Sequence, residues 1–125
     1  MDTYTITIIE SSKELSARER IKMKDITNAV KFDEAINPGE KLQIKPADYA
    51  VLAVHNENSE NKDYNYYIIV DQNGDKYMTG SQSFWESFKG IYDEMKGEDE
   101  EYAIEVYKVD STKYKGKQFL ACSIL

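Results

Sequence analysis

The sequence predicts a mainly β fold built around one well-formed helix, and three observations carry that prediction. Residues 64–70 (YNYYIIV) are aromatic or β-branched at every position but Asn65, the strongest strand signal in the chain. Behind it, Asn73–Gly74 is the dipeptide that favours a tight hairpin, which returns residues 76–79 as a partner strand. Then, over residues 83–96, Phe84, Trp85, Phe88, Ile91, Tyr92 and Met95 recur with the spacing of a single helical face. Strand-like segments lie on both sides of that helix. A lone helix inside a five-strand run is the layout of the OB-fold, a partly open Greek-key barrel, with the helix between strands 3 and 4.

Taken in order, residues 3–9 (TYTITII) alternate and are rich in β-branched side chains, so they read as a strand. Over residues 18–24, Arg18, Arg20, Lys22 and Lys24 alternate with Ile21 and Met23. The alternative is a helix on which Leu15, Ala17, Ile21 and Met23 pack loosely and the bases spread around the surface; period two favours a strand or an extended arm with the four bases on one face. Such a row either follows a phosphate chain or is a solvated edge, where lysine discourages sheet-to-sheet pairing. Residues 32–36 lead into Asn37–Pro38–Gly39, a turn. Residues 41–55 are apolar enough for one long strand, and Pro46 marks a bend, bulge or edge within it. Residues 56–63 (NENSENKD) contain no apolar side chain and read as a loop.

The helix start reads as a capping box of Ser83 and Glu86, and Gly97 is its stop. Residues 102–109 are a strand, 110–116 a loop, and 117–125 the closing strand. The chain thus divides into an N-terminal extension of strand and basic segment, residues 1–31, and an OB-fold domain, residues 32–125.

The length of 125 residues suits one core, and 41% hydrophobic residues is enough to fill it. Nothing resembles a signal peptide or a membrane span, and Cys122 is the one cysteine, so no internal disulfide is expected. These features predict a reducing, cytoplasmic setting and no membrane partner. The net charge of −7 argues against a general DNA-coating surface. Its distribution is uneven, however. Acids concentrate on the helix and on the run 98–101, whereas Lys113, Lys115 and Lys117 give the last sixteen residues a local excess of bases.

Catalysis is not expected. His55 is the only histidine, which excludes sites built on several histidines, and no phosphate loop, nucleophile elbow or zinc motif occurs. No metal or cofactor is predicted. What remains is a binding surface. Lys113, Tyr114, Lys115 and Lys117 place a ring among ammonium groups, which suits a single-stranded nucleic acid: the ring stacks on a base while the cations meet phosphates. In an OB layout this loop and the loop carrying Lys62 flank a face formed by strands 2 and 3. That face would carry Lys76, Tyr77 and one of Tyr66 and Tyr67, since alternation turns those two to opposite sides.

Residues 66–77 (YYIIVDQNGDKY), the helix that follows, residues 104–109 (IEVYKV) and residues 114–125 (YKGKQFLACSIL) resemble the small single-stranded-DNA-binding proteins of bacteriophages and mobile elements of Gram-positive bacteria. The layout is similar to that of the replication proteins of protein-primed Bacillus phages. The resemblance covers about three quarters of the chain and implies one OB domain that coats single strands during DNA replication, without catalysis and alongside other replication proteins. Residues 1–31 have no counterpart in it, and the acidic tail of cellular bacterial relatives is absent.

The expected function is therefore sequence-nonspecific single-stranded-DNA binding. Stacking is assigned to Tyr66 or Tyr67, Tyr77 and Tyr114, and phosphate contacts to Lys62, Lys76, Lys113, Lys115 and Lys117. Arg18, Arg20, Lys22 and Lys24 extend the path. The rival expectation is an acidic protein-binding module, a DNA mimic that inhibits a host nucleic-acid enzyme through Asp93, Glu94 and the run 98–101. Oligomeric state is not readable from the sequence.

Overall fold

The computed structural model describes residues 4–113 and 115–125. Strand accounts for 43% and helix for 21%, so the chain is mainly β as expected, and its strands lie in open sheets. The elements are β1 (Tyr4–Ser11), α1 (Ala17–Lys24), β2 (Val30–Lys31), α2 (Phe32–Ala35), β3 (Lys41–Ile44), β4 (Pro46–Asn56), β5 (Asp63–Asp71), β6 (Lys76–Thr79), α3 (Gln82–Met95), β7 (Ile104–Asp110) and β8 (Gln118–Ile124). One sheet is ordered β1-β4-β5-β6-β2 and the other β3-β7-β8. Two compact units result: residues 4–30 with 47–80, and residues 31–46 with 81–125. Among the described residues, no helix is long and apolar enough to cross a membrane.

The expected long strand over residues 41–55 is divided at Pro46 into β3 and β4, which join different sheets. Proline has no N–H for a ladder, and the first residue of a strand is where it is tolerated. The expected first strand is present as β1; its residue Thr3 lies outside the described residues.

In the first unit β1 runs antiparallel to β4, from Tyr4 opposite Asn56 to Ser11 opposite Ala50, with a bulge between Ile8 and Glu10. Ile6 and Ile8 turn to the same side as Leu52, and a core of Leu15, Met23, Ala50, Leu52, Ile68 and Met78 forms there. Leu15 and Met23 come from α1 and the segment before it, so this helix covers that face of the sheet.

The helix corrects the reading of residues 18–24 as a strand. Ser16 and Glu19 close a capping box: the Glu19 N–H donates to Ser16 Oγ (3.2 Å) and the Ser16 N–H to Glu19 Oε1 (3.0 Å). Two residues apart on a helix is about 200° of rotation, so Met23 is buried while Ile21 stays 71% exposed. The alternation that read as one apolar face is a coincidence of composition.

At the other end of α1, Lys76 Nζ donates to the carbonyls of Lys22 and Asp25, the latter at 2.8 Å. The Lys22 carbonyl also accepts the Asp25 N–H (3.2 Å), and the cation beside it complements the dipole of the helix C-terminus. The β5–β6 hairpin is ordered by Asp71, whose Oδ1 accepts from the N–H groups of Asn73 and Asp75, both at 2.9 Å. Gly74 takes a φ of 88°, which the Asn-Gly signal anticipates.

In the second unit the expected lead-in at 32–36 is the short helix α2, which buries Phe32. The following turn closes through the Glu40 N–H on the Asn37 carbonyl (3.0 Å). β3 and β8 flank β7, and α3 lies against β8. Ser81, not Ser83, caps α3: its Oγ accepts from the Phe84 N–H (3.3 Å). A cap oxygen must reach an N–H two or three residues on; Ser83 already lies inside the helix. Phe84, Trp85 and Phe88 are buried. Phe84 meets Phe32 edge-on (5.4 Å between centroids), and Trp85 tilts against Phe88 (5.2 Å).

Phe88 is fully buried at the middle of this aromatic stack. Phe88→Ala is expected to destabilise the protein by about 3–5 kcal/mol, the range for losing a buried phenyl ring. Urea denaturation followed by circular dichroism measures it.

Candidate nucleic-acid interface

The register of β5 with β6 sorts the predicted stacking residues by face. Tyr67 stands opposite Thr79, Ile68 opposite Met78, Ile69 opposite Tyr77 and Val70 opposite Lys76. Tyr67, Ile69 and Tyr77 therefore share one face, and Tyr66, Ile68 and Val70 share the α1 face with Met78. Tyr67 is 8% exposed and Tyr77 9%, so neither ring has surface for a base as folded. Tyr77 is engaged instead through its hydroxyl, which donates to Asp71 Oδ2 (3.4 Å), and burial followed by the Asp71 and Asp75 charges pushes its pKa up. Their alternation marks them equally as strand residues with apolar rings; both faces of this central strand are covered, and the rings serve as packing.

Tyr66 differs. It is half-buried, packs against the core beneath α1, and meets the Tyr64 ring edge-on at 5.4 Å. Tyr64 is also half-buried, and Tyr4 is 42% exposed. Burial raises the pKa of both Tyr66 and Tyr4, and the neighbouring Tyr64 raises each further. Three phenols thus gather where the α1 face is left open. Tyr4 and Tyr64 are absent from the sequence-based site. The signal that finds them is the two-residue spacing of Tyr64 and Tyr66 on one strand, which places both rings on the same face.

The predicted bases fall into three groups. Arg18, Lys22 and Lys24 are exposed on α1 and have no side-chain hydrogen bond or ion pair among the described residues. Arg20 is tied inward, donating from Nη1 to the Leu15 carbonyl (2.7 Å). Lys62 pairs with Glu57 (3.2 Å), and Lys76 is committed to the end of α1, where burial lowers its pKa. Lys113, Lys115 and Lys117 are exposed on the β7–β8 loop of the second unit, which is closed by the Ser111 N–H on the Lys117 carbonyl (2.9 Å). Tyr114, assigned to stacking, lies outside the described residues. The tyrosines, Lys62 and the α1 bases therefore belong to the first unit, and the lysine loop belongs to the second.

Among the described residues no group of three or more His, Cys, Asp or Glu side chains is placed to hold a metal ion. His55 is instead clasped between two carboxylates at the end of β4. Its Nδ1 lies 2.7 Å from Asp63 Oδ1 and its Nε2 2.6 Å from Glu57 Oε1. Hydrogen bonds to Asp63 and then Glu57 raise the His55 pKa above its ordinary 6.5, and the His55 bond lowers that of Glu57 below 4.5. The exposed acids of the rival reading, Glu98, Asp99 and Glu100, follow Gly97, and Glu101 pairs with Lys45 at 3.8 Å.

The raised His55 pKa means that its stabilising contribution is complete below pH 6.5 and is lost as pH rises through the higher folded value. Glu57 works the other way: its contribution is present above about pH 4.5 and is lost in acid. The clasp is therefore tightest between those values. An NMR titration is expected to place the His55 midpoint above 6.5, and amide exchange in the loop over residues 57–62 should quicken from pH 6 to pH 8 beyond its intrinsic acceleration. His55→Gln should remove that excess.

The chain matches no protein-family model, no curated protein and no solved structure.

Proposed function

We propose that the protein binds single-stranded DNA without sequence preference, as a non-catalytic coat of exposed strands in phage or mobile-element replication. One observation carries this reading: on one face of one sheet, the half-open rings of Tyr64 and Tyr66 share a unit with the unpaired cations Arg18, Lys22 and Lys24. Rings accept any base by stacking, and free ammonium or guanidinium groups hold the phosphates between them. The track is thus re-assigned from Tyr67 and Tyr77 to Tyr4, Tyr64 and Tyr66. The lysines of the β7–β8 loop supply further phosphate contacts.

Strand pairing supports an OB-type reading of the chain from β3 onward. An OB-fold's long first strand pairs with the second strand along one part and with the fourth along another. Here β4 neighbours β5, and β3 pairs with β7, with Lys41 opposite Tyr107 and Ile44 opposite Ile104. The hairpins β5–β6 and β7–β8 then take the places of strands 2–3 and 4–5, and α3 lies between them in sequence. Residues 1–31 are an addition whose helix occupies part of the face such a sheet offers to its ligand.

A second reading is supported by the exposed carboxylates of Glu98, Asp99 and Glu100: an acidic module that mimics DNA toward a host nucleic-acid enzyme. Electrophoretic shifts with labelled oligothymidine and duplex DNA separate the two. The first predicts binding to the single strand, weaker binding to the duplex, and loss of affinity with added salt. Tyr64→Ala and Tyr66→Ala should each weaken oligothymidine binding by about 1–3 kcal/mol, and Tyr64→Trp should retain it. Binding to neither nucleic acid, or unchanged affinity in both alanine variants, refutes the first reading.

A further inference from the structure

The apolar stripe of α3 is only partly consumed by the core. Phe84, Trp85 and Phe88 are buried, whereas Ile91 and Met95, in the later turns, stay half exposed. With Gly90 of α3 and with Cys122 and Ile124 of β8, they line an open groove of about 510 Å³. Burial pushes the Cys122 thiol up to about 11, so it lines the groove as a small apolar group, not as a thiolate. A Cβ built on Gly90 meets nothing within 4 Å, so the space beside the helix is empty there.

The groove follows a free sheet edge. β8 is the outer strand of the order β3-β7-β8, and no residue of β7 lines the cavity. Ile104 stands opposite Ile124 and Val106 opposite Cys122, which places Cys122 and Ile124 on the buried side shared with Val106 and Ile104. A further strand beside β8 would bond to its open backbone and direct alternate side chains into the groove beneath Ile91 and Met95. Ile124 is 46% and Leu125 57% exposed, apolar surface that such a strand would cover.

We propose that this edge accepts an extended apolar segment of a partner protein, flanked by lysine or arginine, as an added strand against β8. Charge selects this occupant. Glu86 and Glu94 line the groove, and neither is in an ion pair among the described residues. A second copy of the chain would bring its own Glu86 and Glu94 to the same rim, on a body that already carries −7. Like charges brought to one rim repel, whereas cationic flanks meet the two carboxylates of α3 directly. The groove belongs to the second unit and the tyrosine face to the first.

Fluorescence anisotropy tests the proposal with two labelled peptides that share a seven-residue core of alternating valine and threonine. One carries two lysines at each end and the other two glutamates. The lysine-ended peptide should bind saturably and at least tenfold more tightly than the glutamate-ended one. Gly90→Phe, which fills the groove, should abolish binding, with circular dichroism verifying the fold. Glu86→Lys combined with Glu94→Lys should reverse the preference between peptides. Absence of saturable binding, equal affinity for both peptides, or indifference to Gly90→Phe overturns the proposal. So does a dimer in sedimentation that Gly90→Phe dissolves, because the edge would then serve a second copy.

Discussion

The missing N–H of Pro46 is the constraint from which the organisation of this chain follows. Residues 41–55 read as one strand, and no glycine or second proline divides them. A ladder cannot run through a residue with no donor unless it ends or begins there. β3 ends at Ile44 and β4 begins at Pro46, and the two halves are delivered to different sheets. Each half then recruits its own partners: β3 pairs with β7, and β4 with β1. A residue that removes one hydrogen bond thereby sorts most of the β-structure into two units.

In the first unit the same economy governs α1. The helix is eight residues long, too short to be stable alone. It is held by a capping box at its start, by Met23 and the preceding Leu15 beneath it, and by the Lys76 ammonium at its end. Lys76 cannot also serve as a free phosphate contact while it holds those carbonyls. The helix in turn presents Arg18, Lys22 and Lys24 outward and leaves the tyrosine end of the sheet uncovered. Structure and candidate chemistry are thus divided among neighbouring lysines by what each one touches.

Most of the β-strands and α3 were legible because their periodicity is strong and their boundaries carry turn chemistry, whereas the two-residue β2 is too short to carry a pattern. Asn73–Gly74 and Gly97 each mark a backbone that takes positive φ, and the hairpin and the helix stop fall where those residues predict. α1 was hidden because its bases alternate by chance and only one of its residues is buried, so neither period dominates. Its legible signature was the pairing of Ser16 with Glu19, a local signal that outweighs a weak pattern. The same rule misplaces the start of α3, where Ser83 and Glu86 have capping-box spacing but Ser81 holds the geometry. The tyrosines proposed to stack were only half legible. Alternation separates Tyr66 from Tyr67, but which ring keeps an open face depends on what covers each side of the sheet, and that cover comes from segments distant in sequence.

Trp85 is the one tryptophan of the chain, and it is packed against Phe88 in the second unit. Its indole emission consequently reports the surroundings of α3. An unfolding curve read from that emission follows the packing around α3, whereas backbone ellipticity follows the strands and helices of the whole chain. Coincidence of the two curves is what distinguishes one cooperative transition from two.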